Sequence, residues 1–185
     1  VTLKTDVRGL ASAARKARSE AERDVARAGI RRVLASRLSQ LGPGPGARIA
    51  AYEPMSTEPG SIELLAELTR GGYEVIVPMT QPDNDLDWGV WTFTRQARLP
   101  LGMDAITTAE LILVPAFAVD AAGNRLGRGG GSYDRALARA GAGVAIAAVL
   151  FDGEILDEVP TDDWDRPVTA ALTPSGWVDL AAVSG

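Results

Sequence analysis

From Arg48 onward, strand-length apolar runs alternate with helical patterns, and this alternation narrows the possible folds more than any other feature of the chain. Arg48 to Tyr52, Tyr73 to Pro78, Leu111 to Pro115, Phe117 to Val119, Val144 to Leu150 and Val168 to Leu172 read as strands. Trp88 to Thr94 reads as one more, after the polar loop Asp83 to Asp87. Between them, Ser61 to Arg70 carries Ile62, Leu64, Leu65 and Leu68 as a helical apolar set and closes on Gly71-Gly72, and a further helix is expected from about Tyr133 to Ala140. Strands that alternate with helices pair in parallel, and uninterrupted apolar strands are covered on both faces. The expectation is an α/β fold: a three-layer α/β/α sandwich with a mostly parallel sheet.

Gly42-Pro43-Gly44-Pro45-Gly46 is the clearest break in the chain. Ahead of it, Leu3 to about Ser19 has Leu3, Val7, Leu10 and Ala14 at helical spacing. Ser19 followed by acidic residues reads as a cap, and a second helix runs to about Leu41 with Val25, Ile30, Val33, Leu34 and Leu38 on one side. The 185 residues therefore read as one domain, 1–185, with residues 1–41 an N-terminal helical pair packed on the sheet.

Composition removes whole classes of chemistry. With neither cysteine nor histidine, disulfides, thiol catalysis, histidine bases and most zinc sites are excluded. Acid–base and metal chemistry falls to Asp, Glu, Tyr, Lys and Arg. A net charge of −5 argues against bulk nucleic-acid binding. No apolar run reaches the ~18 residues of a membrane span, and the charged, helical start does not resemble a signal peptide. A cytoplasmic protein, with a monomer favoured, is the expectation.

Residues 123–135 carry the chemistry. A cluster of glycines with Arg125, Arg128 and Arg135 beside Asp134 follows directly on the strand pair 111–119. Glycine lets backbone approach a ligand closely, arginine forks match phosphate oxygens, and an aspartate can hold magnesium. The loop is not a dinucleotide fingerprint, because Gly127-x-Gly129 runs on to Ser132 where Gly or Ala is required. Nor is it a P-loop, because no Gly-Lys-Ser/Thr follows. The local logic is shared with both: amide N–H groups and a helix start facing an anion. In parallel sheets ligands bind beyond the carboxyl ends of strands, which is where this loop falls.

Residues 112–137, from Ile-Leu-Val-Pro through Arg-Leu-Gly-x-Gly-x-Gly-x-Tyr-Asp-Arg-x-Leu, resemble the 5-formyltetrahydrofolate cyclo-ligase family. Lys4-x-x-x-Arg8, Tyr52-x-Pro54 with Glu58-x-x-Ser61, Tyr73 to Pro78, and Val159-Pro160 with Asp165 and Leu172-Thr173 are similar to the family's other segments, in the same order. The resemblance implies ATP- and Mg2+-dependent conversion of 5-formyltetrahydrofolate to 5,10-methenyltetrahydrofolate, through a phosphorylated formyl group, with ADP and phosphate released. It implies a reduced formyl-folate as the small-molecule partner. It further implies that ATP is held by Lys4, Arg8 and residues Arg125, Leu126, Gly127, Arg128, Gly129, Gly130, Gly131, Ser132, Tyr133 and Asp134, with Arg128 and Tyr133 catalytic. Glu53, Met55, Glu58 and Tyr133 would meet the folate, and Asp134 and Asp165 would hold the metal, with Asp162 and Asp163 close enough to compete for that role. Trp88, Trp91 and Trp164 are candidate aromatic walls. The chain departs from the family pattern at Gly130, where Lys is common, at Ser132, where Tyr is common, and at Trp164, where His is usual. Two other readings are a phosphosugar isomerase-like enzyme on the same architecture and a non-catalytic folate-binding homologue.

Overall fold

The computed structural model describes residues 3–94 and 97–181. The ends of the expected domain, residues 1–2 and 182–185, lie outside them. Helix α1 spans Lys4–Ala17 and α2 spans Glu20–Leu41. Between them Ser19 forms a reciprocal cap: its hydroxyl accepts from Glu22 N at 3.2 Å, and its own N–H donates to the Glu22 carboxylate at 2.6 Å. Gly42 ends α2 in the left-handed region at φ 96°. Strands β1 (Arg48–Ala50), β2 (Glu74–Thr80) and β3 (Leu86–Val90) follow, with α3 (Ile62–Arg70) between the first two. Ser61 caps α3, accepting from Leu64 N at 3.2 Å. A 3-10 helix (Met103–Thr108) leads to β4 (Leu111–Pro115), β5 (Ala118–Asp120), β6 (Arg125–Leu126) and α4 (Ser132–Leu137). The chain ends with β7 (Ala145–Val149), β8 (Ile155–Leu156), β9 (Ala170–Thr173) and β10 (Gly176–Asp179).

The main sheet has the order β10-β9-β7-β4-β1-β2-β3. Its five inner strands are parallel, and β3 and β10 close the edges antiparallel. Alternate residues of each strand serve two separate cores. Ile49, Val75, Val77, Leu111, Leu113 and Val149 face α2 and α3, meeting Ile30, Leu34, Leu65 and Leu68. Ala50, Ile76, Ile112, Val114 and Ala148 face the other way, toward Ile106, Ala136, Leu137 and Trp88. These are the three layers, helix on both faces of a mainly parallel sheet, with two helices at the N-terminus. Among the described residues no helix is long and apolar enough to cross a membrane.

Several expectations shift. The elements end within a few residues of the expected limits, but β6, β8, β10 and the 3-10 helix, none longer than six residues, carry too little periodicity to be read from sequence. Trp88 and Trp91 are core residues, 0% and 5% exposed, and form no ligand wall. The expected apolar stripe of α1 does not bury: Leu3 and Leu10 are 57% and 74% exposed, and in α2 Val25 is 75% exposed. The buried residue of α1 is Arg15.

Two features place the loops that matter. In the sheet β2 lies on one side of β1 and β4 on the other, so the connections leaving β1 and β4 diverge and open a crevice at their carboxyl ends. The smaller sheet, in the order β6-β5-β8, stands beyond that end. Its turn is organised by Asp120, whose carboxylate accepts from Ala122 N, Asn124 N and the Asn124 amide, and from Val159 N at 3.0 Å. Gly123 sits in the same turn at φ 84°, and its carbonyl accepts from Val168 N at 2.8 Å. The segment 159–168 is thereby tied to the turn before the glycine loop. On the far side Arg139, just past α4, pairs with Asp85 at 2.6 and 2.8 Å and holds that carboxyl down to about 2.

A Cβ at position 123 would run into the Val168 carbonyl and would also have to adopt left-handed backbone. Gly123→Ala is expected to lower the unfolding free energy by about 2–4 kcal/mol, the sum of backbone and overpacking costs. Urea unfolding of the two proteins checks this; an unchanged midpoint would contradict it.

Candidate functional site

The glycine loop hangs from an ion pair whose cation is buried. Arg125, on β6, is 6% exposed, and its Nη2 donates to Asp134 Oδ1 at 2.8 Å. The guanidinium lies directly beneath Gly127, in the space a side chain there would take, so Gly127 is required for the loop to lie on it. Gly131 turns the chain at φ 68° into α4. Asp134 Oδ1 also accepts from Arg166 N at 3.1 Å, which brings the acidic segment 162–166 against the loop.

The loop's own donors are free. Among the described residues, none of the backbone N–H groups of Gly127, Arg128, Gly129, Gly130 and Gly131 donates to a protein acceptor. Helix α4 has only six residues, so anion affinity here rests on those amides and on nearby cations more than on a helix dipole. Arg8 supplies one cation: its Nε donates to Gly127 O at 2.7 Å, and its guanidinium lies 3.3 Å from where a Cβ of Gly129 would be. Lys4, one turn earlier, donates to Asp162 at 2.6 Å and pairs with Asp165. Burial opposes its charge, but the bonds to Asp162 and Asp165 outweigh burial and raise the ammonium above its usual pKa. Leu126 takes no part in this lining; its side chain is buried with Ala118 and Val159.

A cavity of about 240 Å³ lies over the ends of β2 and β4. Pro78, Thr80 and Pro115 form its floor, the loop from Gly127 to Asp134 one wall, and Glu58 and Arg15 another. Glu58, 5% exposed, comes from the segment after β1. One of its oxygens accepts from Met55 N at 2.8 Å, the other from Arg128 at 3.2 Å. Arg128 also touches Met55 Sδ and spans the cavity from loop to Glu58. Tyr133 lines the same space. Among the described residues its buried hydroxyl has no partner, and burial pushes its ionisation well above that of a free phenol.

Not every expected residue converges. Glu53 does not line the cavity; both its oxygens are taken by Arg98 at 2.6 and 3.0 Å. Met55 meets the cavity only through Arg128. Trp164, 69% exposed, lies on the outer side of the glycine loop, in a groove shared with Arg135 and Arg166. Arg15, Phe117 and Glu154 were missed by sequence reasoning. Arg15 is spaced four, seven and eleven residues from Ala11, Arg8 and Lys4, so it shares their helix stripe; that spacing was the available signal.

Asp134 uses Oδ1 for both of its donors, and Asp165 uses Oδ2 for Lys4 and for Asp162 N, which leaves one oxygen on each without a protein partner among the described residues. Among the described residues no group of three or more His, Cys, Asp or Glu side chains is placed to hold a metal ion.

A sequence model described as the 5-formyltetrahydrofolate cyclo-ligase family matches residues 3–174. The chain is similar to the 5-formyltetrahydrofolate cyclo-ligase of Mycolicibacterium smegmatis, 39% identical over 144 residues, 70% of this chain and 74% of that protein. It is 25% identical to the protein of that name from Escherichia coli K12 over 141 residues, covering 69% and 78%. In fold it is similar to a 5,10-methenyltetrahydrofolate synthetase from Mycoplasma pneumoniae, with TM-score 0.79, 19% identity and 94% and 99% of the two chains covered. A second, from Aquifex aeolicus, gives TM-score 0.75 and 22% identity over 100% and 96%.

An unpartnered buried hydroxyl costs about 1–3 kcal/mol. Tyr133→Phe is therefore expected to leave the protein at least as stable as the parent in a thermal melt without ligand. A marked drop in midpoint would show that the hydroxyl has a structural partner.

Proposed function

The chain belongs to the 5-formyltetrahydrofolate cyclo-ligase family, and from that premise and the geometry of the cavity we propose that it converts 5-formyltetrahydrofolate to 5,10-methenyltetrahydrofolate with ATP and Mg2+. The observation that carries the reading is the run of five backbone N–H groups, Gly127 to Gly131, without a protein acceptor among the described residues, in a loop that lines one cavity together with the buried carboxylate Glu58. Anion donors and a folate-type acceptor share one enclosure. The terminal phosphoryl group of ATP passes to the formyl oxygen, ADP departs, the folate's bridge nitrogen attacks the activated carbon, and the carbon–oxygen bond breaks to release phosphate. The work left to the protein is positioning, charge neutralisation and exclusion of water.

Residue roles follow from position. The amides of the loop hold phosphate oxygens, with Arg8 and Lys4 reaching them from α1 and Ser132 at the head of α4 beside them. Arg125 acts from beneath, as the pair that shapes the loop. Arg128 is the mobile-length cation of the set, 55% exposed at its side chain and already bridging loop and Glu58, so it is placed to neutralise the transferring group. Glu58 accepts from the amino-pyrimidinone edge of the pterin, which requires Arg128 to release the oxygen it holds. The Tyr133 hydroxyl, without a protein partner among the described residues, gains one in the substrate. Magnesium, held by Asp134 and Asp165, would neutralise phosphate charge. Asp165 suits that role better than Asp162 or Asp163, because it is the less exposed and adjoins the Arg166 N–H that binds Asp134.

The test is a spectrophotometric assay for methenyl-folate, with ADP measured in parallel. ADP and product are expected in equal amounts, only when 5-formyltetrahydrofolate, ATP and Mg2+ are all present. Turnover without ATP would point to an isomerase-type reaction, and tight folate binding without turnover to a non-catalytic homologue; either result ends the proposal. Asp134→Asn keeps an oxygen for Arg125 and Arg166 but removes the charge. It is expected to cut kcat/KM for ATP about 100-fold, or ~2.7 kcal/mol, while the folded fraction by circular dichroism stays near that of the parent.

A further inference from the structure

Helix α1 is attached to the rest of the molecule in an unusual way, and its attachment points to a residue that no part of the reaction scheme uses. The apolar side chains of an amphipathic helix normally hold it in place. Here Leu3 and Leu10 face solvent, and Val7 alone packs against the small cluster of Ala118, Leu126 and Val159. Three cations on one stripe, Lys4, Arg8 and Arg15, make the other contacts. Lys4 and Arg8 end at the acidic segment and the glycine loop, where they are exchangeable: each would have to turn toward phosphate when a nucleotide arrives. Arg15 is different. It is 3% exposed, and its guanidinium is fully engaged on one edge, Nε to Glu154 Oε1 at 2.8 Å and Nη2 to Glu154 Oε2 at 2.7 Å. Nη2 also donates to Ala116 O at 2.6 Å. The rings of Phe117 and Phe151 lie 5.0 and 5.7 Å from the guanidinium carbon.

These partners belong to the two connections that build the site. Ala116 and Phe117 join β4 to β5 and line the cavity. Glu154 lies between β7 and β8; its second oxygen accepts from Phe151 N at 2.9 Å and its carbonyl from Val119 N at 3.1 Å. Arg15 therefore bolts α1 to the chain ends of β4 and β7 at once. Seven residues separate it from Arg8, two helical turns on the same stripe, so the angle at which Arg8 and Lys4 meet the glycine loop is set at Arg15.

We propose that Arg15, paired with Glu154, is a positioning residue for nucleotide binding: it fixes the docking of α1 so that Lys4 and Arg8 reach the phosphates. The inference rests on the ATP-dependent reading above. It differs from a merely structural role in one respect. A structural residue would act on stability whatever stood at positions 4 and 8, whereas a positioning residue acts through them.

The experiment measures ATP binding by isothermal titration calorimetry with Mg2+, and 5-formyltetrahydrofolate binding in separate titrations. Arg15→Lys keeps the charge and loses the fork. Arg15→Met combined with Glu154→Met removes the buried pair as a unit, which proteins often tolerate where they do not tolerate loss of one partner. Both variants are expected to raise the Kd for ATP about tenfold, the scale of a misplaced contact and not of an abolished one. In a Lys4→Met/Arg8→Met background, Arg15→Lys is expected to add less than about twofold, since residues acting through one another are not additive. Hydrogen exchange should show the amides of α1 protected by ATP in the parent and not in the Arg15 variants. An unchanged Kd in both variants overturns the proposal. So does an Arg15→Lys effect that is undiminished in the Lys4/Arg8 background, or one confined to the folate titration. Failure of the parent itself to bind ATP would instead overturn the functional reading beneath it.

Discussion

The pair between buried Arg125 and part-buried Asp134 is the contact on which the site depends. It stands under the glycine loop, and its guanidinium fills the space that a side chain at Gly127 would take. It orients Asp134, and the same oxygen of Asp134 draws in the Arg166 N–H and with it the segment carrying Asp165. A single ion pair thus couples stability of the loop to the geometry of both carboxylates.

Charge does a second kind of work at the opening helix. Elsewhere in the molecule, two cores on opposite faces of the sheet hold α2, α3 and α4 by apolar burial. Helix α1 is held instead by Lys4, Arg8 and Arg15, each bound to a different segment of the site. The contacts of Lys4 and Arg8 can be exchanged for contacts with an anion at little cost, which those of buried leucines, or of the buried Arg15, cannot. The same logic applies to Arg128, whose bond to Glu58 occupies the carboxylate that the proposed pterin contact would need.

Much of the fold was legible because the strands are buried on both faces. Ile49, Ile76, Ile112 and Ala148 cannot be polar in a sheet covered twice, so the strands stand out as apolar runs. The elements β6, β8 and the 3-10 helix escaped, since they are held by tertiary contacts such as the Asp120 turn and carry no period of their own. The stripe of α1 misled for a related reason: spacing identified a helix correctly, but which face docks was decided by where Glu154 and Gly127 stand. Trp88 and Trp91 show the same limit, because an aromatic residue suits a core and a ligand wall equally well until the packing is known.

What the sequence determined by itself was the layer order and the family, since those rest on local patterns and ordered motifs; it also singled out the glycine loop, Lys4, Arg8, Glu58, Asp134 and Asp165 as candidates. Tertiary structure alone decided that Glu53 faces Arg98, that Arg125 supports the loop from below, that Arg128 crosses to Glu58, and that Arg15 pairs with Glu154. Those facts are pairings between residues 9 to 139 positions apart, and the partner of a charge is set by how segments distant in the chain pack, not by its neighbours in sequence.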